Sequence, residues 1–446
     1  MADTISNSPG QYYSQNAVLN ACRITLANGQ QFDVKDNIIE LSYYEDFYSF
    51  CISGYLMLRD GLGLLDIFKI MGGEKLELNF DSFYDPNSTT LKDFVIYKVG
   101  DRKPTGNMNS EFYKIYFCSK DLLVNEQMKI SKSYKGKKIS DVVSDAVTTY
   151  LGTNRTFTPS PTTGFYDFVI PMMKPFETIS WLSNFARPQN SGKSGTIGAD
   201  MFFYEDKDGY RFESIDSLMN TAPVWKYIYQ QNNLDSEVSN LNLEDNSVIA
   251  LEFVHSFNIL KDISSGAFSN KVISINALTK QTEVQVFDYT KYVNQLKPSN
   301  GQGVMPNIQT STGLTPNQTP DGKLRVVASN FNSKNSPYIK NIDNGEGLSQ
   351  DYFVQQTLSL RLAQTALANH TKLKIVVPGN TRLTVGNLVS FNYFKILLGT
   401  GDNNRELDNT YSGTYLITAV RHILQSSGVF QTVLEIVKSS TIPTST

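Results

Sequence analysis

Ile38-Ile39-Glu40-Leu41-Ser42-Tyr43-Tyr44-Glu45-Asp46-Phe47, continued by Ile52-Ser53-Gly54-Tyr55-Leu56-Met57-Leu58-Arg59-Asp60, reads as a pair of β-strands. Both runs are rich in β-branched and aromatic side chains, which fit a pleated and half-buried surface. Upstream, residues 23–26 and 32–34 flank Asn28-Gly29, a dipeptide that supplies the positive φ angles of a tight hairpin. Downstream, further short runs at 75–80, 94–99 and 114–118 are punctuated by Gly, Asp, Asn or Pro. Strands at this spacing predict an antiparallel barrel or sandwich.

The period then changes. Ile139, Val142, Val143, Ala146, Val147, Tyr150 and Leu151 recur at helical steps, and a second helix is expected from Pro175 with Phe176, Ile179, Leu182, Phe185 and Ala186 on one face. A hairpin at 201–204 and 210–213 turns through Asp206-Lys207-Asp208-Gly209. This middle portion reads as an α+β unit. Residues 298–322 are Pro, Ser, Asn, Gln, Thr and Gly with almost nothing to bury, which predicts a mobile arm that gains order on assembly. Beyond it, Ser349 is placed to cap a helix ending near Asn369, and strands return at 373–377, 388–393, 413–422 and 429–437. Phe430, Thr432, Leu434 and Ile436 alternate, as one buried sheet face requires.

Composition narrows the function. With 446 residues, Lys plus Arg at 40 and Asp plus Glu at 43, the chain is long enough for several packed units, and its net charge of −3 gives no reason to expect sequence-specific nucleic-acid binding. The N-terminus has neither a basic n-region nor an apolar stretch, and no run is long and apolar enough to span a bilayer, so a soluble protein without export signal is expected. Cys22, Cys51 and Cys118 are odd in number, far apart and free of zinc spacing, and read as buried thiols of a reducing cytoplasm.

The chemistry-bearing residues form no constellation. His255, His370 and His422 each stand alone. Gly192-Lys193-Ser194 resembles the tail of a phosphate-binding loop, but Arg187 stands where its first Gly belongs. Asp206 and Asp208 lack the further oxygen ligands of a calcium loop, and a hairpin turn accounts for them. The expectation is therefore no catalytic residue, no cofactor and no metal.

The opening strand pair resembles the first strands of phage baseplate hub proteins, as does Gly63-Leu64-Leu65-Asp66-Ile67 followed by Met71-Gly72-Gly73-Glu74-Lys75-Leu76-Glu77-Leu78, where a short helix crosses the barrel. Pro175-Phe176-Glu177-Thr178-Ile179-Ser180-Trp181-Leu182 and Phe202-Phe203-Tyr204-Glu205-Asp206-Lys207-Asp208-Gly209-Tyr210-Arg211-Phe212 continue the likeness. So do Val377-Pro378-Gly379-Asn380, Val385-Gly386-Asn387, Tyr411-Ser412-Gly413-Thr414-Tyr415-Leu416-Ile417 and Val420-Arg421-His422. In order and spacing these stretches resemble the central hub of T-even-type contractile-tailed phages and, more distantly, the hub part of type VI secretion spike proteins.

The resemblance implies a mainly β chain with an α+β insertion: two tube-like antiparallel β-barrel domains plus smaller α+β parts. The expected division is a first barrel at 1–120, the inserted hub unit at 121–235, a connecting β segment with the arm at 236–345, and a helix with the second barrel at 346–446. It implies a homotrimer that joins a six-fold tail tube to a three-fold central spike around a DNA passage. The expected partners are a separate spike protein, the tail tube protein, and the tape-measure and baseplate wedge proteins. The setting would be the virion, assembled in the bacterial host cytoplasm. The hub of a headless injection particle is the alternative, and a tail-borne cell-wall hydrolase the enzymatic one.

Overall fold

The computed structural model describes residues 17–82, 85–104, 110–189, 198–229, 246–255, 258–275, 280, 282–289, 291, 302–303, 324–328, 350–394 and 407–441. The first unit contains β1 (Ala17–Thr25), β2 (Gln31–Asp33), β3 (Ile38–Asp46), β4 (Ser53–Asp60), the short α1 (Leu64–Phe68), β5 (Lys75–Ser82), β6 (Asp85–Pro104) and β7 (Glu111–Ser119). Asn28-Gly29 turns the first hairpin as its sequence predicts, with Gly29 at φ +83 and its N–H donating to the Leu26 carbonyl at 2.9 Å. α1 lies on this unit through Phe68, whose ring stacks on Phe32 at 3.6 Å.

The middle unit follows: α2 (Lys120–Gln127), β8 (Ile130–Lys137), α3 (Ile139–Asp145) running on as a π-helical turn at Ala146–Leu151, β9 (Thr156–Pro159), β10 (Tyr166–Met173), α4 (Pro175–Ser183), β11 (Met201–Asp206), β12 (Gly209–Ser214) and α5 (Ile215–Leu218). Ile139, Val142, Val143, Ala146 and Val147 are fully buried, so the amphipathic reading places them correctly against Phe176, Ile179 and Leu182 of α4. Then come β13 (Trp225–Tyr229), β14 (Ala250–His255), α6 (Ile259–Ser265), β15 (Ser269–Ile275), β16 (Thr282–Asp288), β17 (Gln302–Gly303) and β18 (Leu324–Ala328). The chain closes with α7 (Gln350–Ala368), β19 (Thr371–Pro378), β20 (Leu388–Tyr393), β21 (Gly413–Gln425), β22 (Phe430–Lys438) and β23 (Ser440–Thr441).

Two barrels share one sheet. Along its main path the order is β14-β19-β22-β21-β3-β4-β7-β6-β5-β1-β2, with β20 also on β21 and β13 on β20. β21 is the fork. Its first residues pair with β20 (Leu388↔Leu416), and after an irregularity near Ile417 its remainder pairs with β3 (His422↔Tyr43). The second barrel runs β14-β19-β22-β21-β20-β13 and is closed where Val248 donates to the Ile228 carbonyl at 3.1 Å. Two of its strands thus come from the middle of the chain. The pairing of β13 on β20 is parallel, because β13 enters from the middle unit and its neighbour arrives more than 150 residues later by a crossover.

Each barrel has its own apolar filling. Leu373, Ile375, Leu388, Phe391, Leu416, Leu434 and Ile436 fill the second. Ile24, Leu56, Leu78, Phe94, Ile115 and Phe117 fill the first, which also takes Leu424 and Phe430 from the far end of the β21–β22 hairpin. Phe430, Thr432, Leu434 and Ile436 are at most 1% exposed, the inward face that their alternation predicts. A small sheet, β16-β15-β18, packs through Phe268 and Phe287 against Leu360 and Ala363 of α7.

The expected arm at 298–322 lies outside the described residues apart from β17, whose backbone pairs with β23. Ser349 and the Gly192-Lys193-Ser194 loop also lie outside them. Among the described residues no helix is long and apolar enough to cross a membrane.

Candidate functional site

The residues with the most unusual environment sit where the three larger units meet. β11 carries Glu205 into the seam with the first barrel, and its side chain is wholly buried. One carboxylate oxygen accepts from the Ile52 backbone N–H at 2.8 Å and from Ser119 Oγ at 2.5 Å, groups at the ends of β4 and β7. The other lies 2.9 Å from Arg155 Nε, an ion pair whose N–H is not aligned on the oxygen. The Arg155 Nη2 instead donates to the Asp206 and Lys207 carbonyls at 2.9 and 3.0 Å. Burial pushes the Glu205 carboxyl up to about 7, against the pull of Arg155 and of its two donors. Beside it, Asp121 of α2 accepts from Tyr210 at 3.0 Å and Thr153 at 2.6 Å, and the Tyr210 hydroxyl is 3.7 Å from Cys51 Sγ.

Glu45, near the end of β3, does the same for the seam with the second barrel. It accepts from Tyr43 Oη at 2.9 Å, from the Val385 N–H at 3.0 Å and from the Thr384 hydroxyl. Burial again pushes its carboxyl up to about 7. Aromatic packing reinforces the joint: Phe47 meets Tyr204 at 4.7 Å and Phe202 at 5.1 Å. Arg361 of α7 lies over the Phe202 ring at 4.6 Å and donates to the Met201 and Ala199 carbonyls.

Carboxyls raised towards neutrality are candidate general acids. Here both are at most 1% exposed and each is already engaged by several donors, so no substrate atom can reach them. An open depression of about 390 Å³ adjoins Glu45 between Tyr44, Cys51, Arg421 and Glu435. The Cys51 thiol is pushed well up by burial, the opposite of what a nucleophile needs. The arrangement ties the units to one another through Glu45 and Glu205.

The remaining candidates are placed as follows. Cys22, Cys51 and Cys118 are buried and free. Asp206 spends one oxygen on the N–H groups of Asp208 and Gly209 and the other on Arg211 Nε at 2.8 Å, the work of a turn residue. Among the described residues no group of three or more His, Cys, Asp or Glu side chains is placed to hold a metal ion. His255 Nε2 is 2.8 Å from the Asn369 carbonyl oxygen. His255 also lies near enough to His370 to act with burial in lowering that imidazole's pKa, so these two are not isolated from each other.

His422 is not a surface residue. It is buried between Tyr43 and Phe430, its Nδ1 3.0 Å from Thr432 Oγ1, and burial holds its pKa down to about 3. Its neighbours come from β3 and β22, which local sequence does not reveal. Glu45, Glu205, Arg155 and Asp121 went unremarked in the sequence. For Glu45 and Glu205 the one local sign is a carboxylate at a position where strand alternation points inward.

Similarity to known proteins agrees with this architecture. No known family profile matches the chain. A probable baseplate hub protein of Vibrio phage KVP40 is 22% identical over 416 residues, spanning 92% of this chain and 91% of its own. The chain is similar to a phage baseplate hub protein along nearly its whole length. Among solved structures, the tail protein of Neisseria meningitidis MC58 superimposes with a TM-score of 0.53 at 11% identity, covering 94% of this chain and 96% of that one. The 43 kDa tail protein of prophage MuSo2 from Shewanella oneidensis gives 0.51 at 8% identity, covering 94% and 98%. The mainly β tail-protein fold is thereby the fold of this chain.

Proposed function

We propose that the protein is the structural baseplate hub of a phage tail: a trimer that joins the six-fold tail tube to the three-fold central spike and encloses part of the DNA passage. The observation that carries this reading is the end-to-end likeness to the Vibrio phage hub, which spans 92% of this chain and 91% of that one. Two barrels held in one sheet support it, since three such chains would present six similar barrels to a six-fold tube. The division at 1–120, 121–235, 236–345 and 346–446 is proposed with it, β13 and β14 being lent to the second barrel. The spike protein, the tube protein, the tape-measure protein and the wedge proteins are the proposed neighbours in the virion.

In this reading the protein is not an enzyme. Its buried carboxylates accept from donors on neighbouring units and so fix those units in place, which is the work an adaptor needs. Light scattering with the spike protein present tests the assembly. Three chains of 50.0 kDa should contribute roughly 150 kDa to one particle, to which the spike adds its own mass. A monomer that persists at every concentration would sink the proposal, and lysis of purified peptidoglycan in a zymogram would overturn the non-enzymatic part.

A further inference from the structure

β8 and its flanks place Lys129, Lys132, Lys135, Lys137 and Lys138 within ten residues that contain no carboxylate. Those ten residues carry +5 in a chain of net −3, so the remainder carries −8. Lys129, Lys132, Lys135 and Lys137 are exposed. Folding neutralises part of the charge: Lys132 Nζ meets Asp145 at 2.7 Å, and Lys138 lies over the Phe165 ring at 5.6 Å. Among the described residues Lys129, Lys135 and Lys137 have no carboxylate within ion-pair distance; the exposed Asp167 of β10 accepts from the Gly136 N–H at 2.7 Å, and Lys137 stands opposite the buried Tyr166, off the outer row that holds Lys135.

The partner strand β10 supplies a second, independent observation. It pairs with β8 alone, as a two-stranded ribbon. On it Val169 is 71% and Met172 is 65% exposed, while Ile170 between them is 1% exposed and belongs to the core of the middle unit. Val169 stands opposite Ser133 in regular register. Met172 sits in an irregularity between Ile170 and Met173 and has φ +51, a backbone conformation that residues with a Cβ rarely adopt. A strained backbone in the strand segment that exposes an apolar side chain lowers the stability of the free chain, and such strain concentrates at functional surfaces.

We propose that the outer face of the β8–β10 ribbon docks an acidic segment of another protein, with its carboxylates on Lys129 and Lys135 and its apolar side chains on Val169 and Met172. Charge complementarity selects the sign of the partner, and the two bare apolar side chains select its class. A protein interface sets apolar contacts inside a polar rim, which this ribbon offers. A phosphate backbone would use the lysines but has no counterpart for Val169 and Met172.

The test uses the full chain and a labelled short peptide of alternating Glu and Val, read by fluorescence anisotropy at low and high salt. An all-Glu peptide and a DNA duplex serve as comparison probes. The alternating peptide should bind best, and more weakly at high salt. The charge-reversed K129E/K135E and the apolar-deleted V169S should each bind it several-fold more weakly, and V169S/M172S roughly tenfold more weakly, with unfolding midpoints unchanged. V169S leaves the irregular stretch untouched, so it decides the apolar contribution even if M172S perturbs the strand. Binding of the duplex or of the all-Glu peptide as tight as that of the alternating peptide would overturn the proposal. So would V169S binding like the parent, or no binding of the alternating peptide at all.

Discussion

Gly386 joins two constraints that can be separated by experiment. Its φ is +84, and a Cβ built on its backbone would stand 2.4 Å from Tyr204 Oη and 3.1 Å from Cζ. Gly386 belongs to the second barrel and Tyr204 to the middle unit, so the contact lies across the joint that Glu45 and Phe47 also hold. An L-residue in the left-handed region costs about 1–2 kcal/mol, and forcing a methyl into a filled site costs about 1–3 kcal/mol more. Gly386→Ala should therefore lose about 2–5 kcal/mol, and Gly386→Val more, with assembly weakened. Gly73, at φ +92 with nothing within 4 Å of its Cβ position, carries only the first penalty, about 1–2 kcal/mol. Removing the crowding hydroxyl supplies the internal control. In Tyr204→Phe the Gly386→Ala change should lose much of its steric part and approach the cost seen at Gly73. Denaturant unfolding of the four proteins of this cycle, with Gly73→Ala alongside, gives each term. A Gly386→Ala protein within about 0.5 kcal/mol of the parent, the usual range of surface changes, would refute the reasoning. A cycle with no coupling to Tyr204 would refute it as well.

Glu45 has a folded pKa raised from 4.5 to about 7, so its contribution to stability is fully present below pH 4.5 and is lost as pH rises through 7. Glu45→Gln should flatten the fall in stability between pH 5 and 8; the difference between variant and parent cancels His370 and His422, whose lowered pKa values act with the opposite sign. Arg155→Met strands the wholly buried Glu205 and should cost about 3–5 kcal/mol at pH 8. The loss should shrink at pH 5.5, where Glu205 is protonated; equal losses at both pH values would exclude an electrostatic origin. His422→Gln should cost about 1–3 kcal/mol, because it removes a buried hydrogen-bond partner from Thr432. His255→Gln should cost no more than about 1 kcal/mol, and thermal unfolding distinguishes the two.

Several elements were legible because their cause is local. The alternation at Phe430, Thr432, Leu434 and Ile436, the Asn28-Gly29 turn and the helical spacing from Ile139 to Leu151 each state which face is buried within a few residues. β8 was missed because Ile130-Ser131-Lys132-Ser133-Tyr134-Lys135-Gly136-Lys137 is mostly polar, with only two buried side chains, Ile130 and Tyr134. β14 was missed for a related reason, since its residues are exposed or half-buried throughout.

By itself, the sequence determined a mainly β chain with strands at both ends and a helical change of period in the middle. The period of side chains along a strand or helix is written into neighbouring residues. Only the tertiary structure decided that β21 forks between two barrels, that His422 is interior, and that Glu45 and Glu205 lose their water. Those facts depend on partners such as Tyr43 for His422 and Thr384 for Glu45, more than 300 residues away. Whether a carboxylate there is a solvated charge or a buried clamp is set by what packs over it, which no local pattern encodes.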